Sequence, residues 1–238
     1  MQKNKIDKLK EDILKSGVLL EIEVSQLLQN DGWLTVNQFP YFDERQEKIR
    51  AADVTATKRI AKKGIGLIIE CKKATDHSWI FYTASKLDAW PALILKEGRI
   101  RTSTGKEVPC SSFPKSHLFD MNIRAGMIAY VPFQKKDDFF EARNQVLNGL
   151  FYANPDLKMD QLGFPIYPVI VFDGEMYDCF LDKGELLMKP TDYLHFITSS
   201  PISREEFLID VVRKTYVQNF LKVINQEMKE GPPGRLLF

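Results

Sequence analysis

Three cysteines and three histidines are all that 238 residues contain. Cys71, Cys110 and Cys179 show neither metal-type nor paired spacing, and their number is odd. That favours a reduced, cytoplasmic setting over a disulfide scaffold. His77, His117 and His195 lie far apart with no triad or metal spacing, which assigns them structural roles. No run reaches the ~20 apolar residues of a membrane span, so no membrane partner is expected. The first residues lead into a charged helix instead of an apolar targeting segment. Internal repeats, low-complexity tracts, a glycine-rich phosphate loop, helicase motifs and zinc-finger spacings are all missing. Charge of one sign is missing too. The formal net charge of +1 removes global basicity as a sign of nucleic-acid binding and leaves only a local patch to carry it. What remains is ordinary globular material, 44% hydrophobic and 27% charged, enough for one well-packed domain over residues 1–238.

The most informative stretch is 64–73, Gly-Ile-Gly-Leu-Ile-Ile-Glu-Cys-Lys-Lys. Its apolar, β-branched run bounded by glycine predicts a buried strand. Alternation puts Glu70 and Lys72 on one face, with Cys71 and Lys73 on the other. Residues 50–57 predict a second strand carrying Asp53. A short basic linker, Lys58 to Lys63, joins the two as an antiparallel hairpin. That pairing can bring Asp53 beside Glu70.

Around this hairpin the chain predicts helix over 3–30, broken at Ser16 or Gly17 and stopped by Asp31-Gly32. Glu21 and Glu23 flank its apolar face and read as solvated residues or as arms reaching over a sheet. A strand over 33–39 and a polar connection over 40–48 follow. Residues 74–125 read as an irregular insertion, with a short aromatic strand at 79–82, an apolar stretch at 87–95 and a loop or hairpin at 98–109. A strand at 126–133 comes next. A helix opens at Asp137-Asp138 and runs to about 152, with Phe140, Leu147, Leu150 and Phe151 as its core face and Gln145 within it. Strands are predicted at 165–173 and 176–181, joined by a tight turn at Asp173-Gly174. Further strands at 193–198 and 207–212 precede a closing helix over 213–230 and a tail, 235–238. The fold class is α/β, a mixed central sheet flanked by helices.

Two carboxylates on neighbouring strands supply hard oxygen ligands of the kind magnesium prefers. A lysine beside them can neutralise charge developing on phosphorus. Glu21, arriving from a helix, can complete the set. The same Asp53, Glu70 and Lys72 can equally form a plain cross-strand ion-pair cluster. Lys58, Arg59, Lys62, Lys63 and Lys73 lie close by in sequence. They read as a phosphate grip or as a solvated turn.

Residues 17–33, with an acidic residue ahead of an apolar Val…Leu-Leu face and a closing Gly-Trp, Asp53 on the second strand, and Glu70-Cys71-Lys72 on the third together resemble the PD-(D/E)xK nucleases. This is the restriction-endonuclease-like superfamily, and the likeness is to its Mrr-like branch. It covers residues 17–73 well and the rest in outline, including a weaker match at the Gln145 helix. Ala52 stands where the family often has proline. The resemblance implies a restriction-endonuclease-like fold and a metal-dependent nuclease. Glu21, Asp53 and Glu70 would surround Mg²⁺, with Mn²⁺ as a substitute, and Lys72 would assist. It implies hydrolysis of nucleic-acid phosphodiesters, DNA ahead of RNA, in restriction, repair or defence. A homodimer or a protein partner would fit such a role. The alternative is a catalytically silent nuclease-fold module that binds nucleic acid or a protein.

Overall fold

The computed structural model describes residues 4–44, 46–60, 63–83, 98–101, 107–110, 125–132, 137–153, 166–199 and 206–230. Lys62, His117, the stretch 87–95 and the tail 235–238 lie outside them.

Helix α1 (Lys5–Lys15) starts under the Asn4 side chain and stops at Ser16. Helix α2 (Gly17–Asn30) ends where Gly32 takes a φ of 83°, a left-handed position that glycine adopts without a steric penalty. Strands β1 (Leu34–Asp43), β2 (Lys48–Ile60) and β3 (Lys63–Thr83) form an antiparallel meander. A small hairpin, β4 (Gly98–Arg101) with β5 (Glu107–Cys110), and strand β6 (Ala125–Tyr130) follow. Helix α3 (Asp138–Asn148) is capped by Asp137, which accepts the Phe140 N–H at 2.8 Å, and runs into a π-helical turn at Gly149–Ala153. Strands β7 (Ile166–Asp182), β8 (Glu185–Pro190), β9 (Tyr193–Ser199) and β10 (Glu206–Arg213) come next. A 3₁₀ turn at Lys214–Tyr216 leads into helix α4 (Val217–Glu230).

The main sheet is mixed and eight-stranded, and four helices flank it among the described residues. β3 is its axis. The first part of β3 lies between β2, antiparallel, and β7, parallel; the later part lies between β6 and β7. The pairings β3–β6, β6–β9, β9–β10, β10–β7 and β7–β3 return to their starting strand. Both faces of β3 are buried, which explains its near-continuous apolar run. Leu67, Ile69 and Cys71 pack with Leu20, Val24 and Leu28 of α2 and Phe220 and Ile224 of α4. Ile68 faces the other way, with Ile170, Phe172, Trp79 and Phe81, against Phe139, Val146 and Leu147 of α3.

Several expected boundaries move. β1 continues through Pro40 to Asp43 because Tyr41 buries, Phe42 pairs with Ile49, and Asp43 is enclosed beside Arg50 (3.3 Å) and Asn148 (3.1 Å). The basic linker is mostly strand, since Lys58 and Arg59 sit in the ladder opposite Ile65 and Gly64. β3 does not stop at Lys73. It shifts register between Lys73 and Ser78 and carries on as the aromatic segment to Thr83, so residues 74–83 belong to the sheet. Asp173-Gly174 is not a hairpin but the matching irregularity inside β7. There Phe172 stacks on Trp79 with centroids 3.7 Å apart, and a β-carbon on Gly174 would collide with the Phe172 ring. The tight turn falls instead at Lys183-Gly184, both at positive φ. On α3 the core residue is Phe139, while Phe140 is 50% exposed beneath the Arg143 guanidinium.

Candidate functional site

The β2–β3 ladder ends at Val54 opposite Ile69, one step before Asp53 and Glu70 would pair. From there the Asp53 carboxylate takes the strand's place: its Oδ2 accepts the Cys71 N–H at 2.8 Å. The predicted antiparallel hairpin forms and brings Asp53 beside Glu70, with its carboxylate locked against the backbone between Glu70 and Lys72. Glu70 is only 2% exposed. Its Oε1 lies 3.0 Å from Lys72 Nζ. The same ammonium donates to Gln145 Oε1 of α3 at 2.7 Å. Glu21 projects from α2 and is buried too, so the solvated reading fails for it. Its Oε2 accepts from Gln38 Nε2 at 2.5 Å, and that amide also reaches Asp53 Oδ1 at 3.4 Å. Glu23 turns away to Lys214, 2.6 Å distant.

Acid exceeds base in this cluster, and the ionisation follows. Burial pushes the Asp53 carboxyl up to about 6, with the Glu21 charge adding to it and the Cys71 N–H and Lys72 opposing. Burial, then the charge of Asp53, pushes Glu70 up to about 8 despite its lysine partner. Burial works against the Lys72 ammonium, but Glu70 outweighs it and Lys72 moves above its ordinary value. Lys72 is therefore a fixed cation and not a base, while the carboxyls are the groups able to hold a proton near neutrality. Tyr41, buried close by, is pushed up to about 12 by desolvation and then by Glu70.

Among the described residues no three His, Cys, Asp or Glu side chains converge into a ready metal cage. The donor set nonetheless fits a hard cation in kind: Asp53 and Glu70 are oxygen ligands whose mutual repulsion only one lysine relieves. A two-carboxylate site completed by water is how magnesium is commonly held.

Two of the basic residues, Lys58 and Lys73, are engaged away from these acids. Lys58 is engaged on the Asp31 carboxylate (2.9 Å), on Asn225 of α4 (2.8 Å) and over the Trp33 ring. Lys73 donates to the Leu14 carbonyl of α1 at 2.7 Å, on the face away from Lys72. Arg59 is exposed in the ladder, and Lys63 pairs with Ile60 through its backbone. His77 bridges Asp76 (2.9 Å) and Asp138 (2.8 Å), and buried His195 contacts Asp210 (3.0 Å), so both have partners and neither is isolated. Cys71 is a core residue, as its alternation predicts.

Sequence reasoning missed Gln38 and Tyr41. Only the β1–β2 register could have found Gln38, since Asn37 pairs with Val54 and Phe39 with Ala52, which sets Gln38 opposite Asp53. In comparisons with known proteins, the chain matches no family model, no curated protein and no solved structure. No helix among the described residues is long and apolar enough to cross a membrane.

Proposed function

We propose that this chain is a metal-dependent nuclease that hydrolyses phosphodiester bonds, of DNA in preference to RNA. The observation that carries the reading is the acid-rich cluster where β2 and β3 part: Asp53, Glu70 and Glu21 near Lys72, which among the described residues stays cationic beside carboxyls raised above their ordinary values. Asp53, Glu70 and Glu21 would hold Mg²⁺, or Mn²⁺ in its place. When bound, the ion polarises the phosphodiester, acidifies an attacking water and stabilises the leaving oxygen.

The chain's own residues set the rest. The Cys71 N–H fixes the Asp53 carboxylate through Oδ2, which leaves its Oδ1 toward Gln38. Gln145 and Glu70 hold Lys72 Nζ from two sides, so its ammonium is already oriented for charge developing on a phosphoryl oxygen.

The test is cleavage of plasmid, linear and single-stranded DNA, and of RNA, with Mg²⁺ or Mn²⁺. Metal-dependent cutting lost in both Asp53→Ala and Lys72→Ala supports the reading. Cutting that survives both sinks it. A second reading, a silent module that binds without cutting, draws on the lack of a three-acid cage among the described residues. Folded protein that neither cuts nor takes up metal would favour it.

A further inference from the structure

Gln38 is the residue beside these acids whose backbone is out of the ordinary. Its φ is 52°, in the left-handed region that residues other than glycine and asparagine seldom enter. Its neighbours hold it there. Asn37 Oδ1 bonds the Ser25 hydroxyl of α2 at 2.7 Å, and Ser25 also contacts Thr35 at 2.9 Å. On the other side Phe39 packs against the α3 side of the core. A conformation this disfavoured persists where the surroundings over-determine it, and such positions cluster at functional sites.

The conformation sets the carboxamide between two acids on different elements. Nε2 lies 2.5 Å from Glu21 Oε2 and 3.4 Å from Asp53 Oδ1. Ionised carboxylates only accept hydrogen bonds, so the amide must present its NH₂ end to both. Two hydrogens of partial positive charge thus bridge two carboxylate oxygens, which is the relation a divalent cation would have to the same atoms. The Gln38 residue is exposed, so the bridge can exchange with a solute from solvent.

From this we infer that Gln38 is a positioning residue that holds Glu21 beside Asp53 in the metal-free protein and competes with the cation for those oxygens. The inference rests on the metal-dependent reading above. It adds that metal entry has to displace the Gln38 amide, so Gln38 lowers the affinity of the site and keeps it assembled while empty of metal.

The experiment is Mn²⁺ binding to the full chain, followed by the free-ion electron paramagnetic resonance signal and by calorimetry. Wild type is compared with Gln38→Ala and Gln38→Gly. Alanine removes the amide and keeps the backbone strain, whereas glycine removes both, so one variant remains informative if the other folds poorly. Gln29→Ala serves as the control, because Gln29 bonds Thr35 in the same α2–β1 contact without touching the acids. Both Gln38 variants should bind Mn²⁺ about five-fold more tightly, while Gln29→Ala stays at the wild-type affinity. Uptake by a Gln38 variant where wild type shows none would support the same competition. Equal or weaker binding than wild type overturns the inference and leaves the metal site standing. No uptake by any form removes the metal site, and this inference with it.

Discussion

Two clusters near the same hairpin are built from similar parts and behave in opposite ways. In one, Asp31 at the end of α2 meets Lys58, Asn225 and the Trp33 indole N–H. Burial would raise its carboxyl, but those three partners outweigh it, and Asp31 ends below its ordinary value. In the other, Lys72 pairs with Glu70 while Glu21 and Asp53 meet the Gln38 amide, and both Asp53 and Glu70 end well above their ordinary values. The first cluster is satisfied as it stands and ties α2 to β2 and α4. The second holds more acid than base among the described residues. The fold holds it in place at the expense of stability, and under the proposed function that excess is a place for a cation.

The largest expected difference between them is in activity. Asp53→Ala or Lys72→Ala should lower metal-dependent cleavage by about a thousand-fold. Lys58→Ala, compared as folded protein in the same gel assay, should stay near wild type. A large loss in Lys58→Ala would erase the contrast.

The second difference is in the sign of the pH dependence. Folded Glu70 titrates at about 8 against an ordinary 4.5, so between these values the folded chain binds more protons than the unfolded one. The metal-free protein should therefore lose stability as pH rises through this window, and Glu70→Gln should flatten the loss. Asp31 is lowered from 3.8, so its contribution is present above that pH and is lost as pH falls through the depressed value. Asp31→Asn should therefore cost stability at neutral pH and little in strong acid. Urea melts across the pH range measure both slopes, and slopes of the same sign would contradict the comparison.

A smaller effect is expected at Lys58. Its side chain is 14% exposed and it serves Asp31 and Asn225 together. Lys58→Ala should lower unfolding stability by about 2 kcal/mol, read from the urea midpoint, with DNA affinity unaltered. Weaker DNA binding at unchanged stability would restore the phosphate-grip reading. The smallest effect belongs to Gln145, which orients Lys72 without supplying charge. Gln145→Ala should reduce the cleavage rate about ten-fold or less, and a loss as deep as that of Lys72→Ala would make Gln145 more than a support.

The same contrast marks how far the sequence could be read. Alternation along 64–73 and the short path from Asp53 are local signals, so the hairpin and the shared face of Glu70 and Lys72 were legible. The break at Ser16 and the stop at Gly32 were legible for the same reason. Lys58 was not, because its nearness in sequence to the acids says nothing of Asn225, which reaches it from α4. Asp173-Gly174 has the composition of a turn, but pairing with β3 and the Phe172–Trp79 stack keep it in the strand. Gln38 was invisible, since its place depends on a left-handed φ and on cross-strand register rather than on residue type.

The account stands or falls on whether the acid cluster of Asp53, Glu70 and Glu21 takes up a divalent cation. Calorimetric titration of Mn²⁺ at pH 8 into wild type and Asp53→Asn tests this directly. One binding event in wild type that is lost in Asp53→Asn is the predicted result. Equal binding by wild type and Asp53→Asn, or none by folded wild type and folded Gln38→Ala alike, would contradict it.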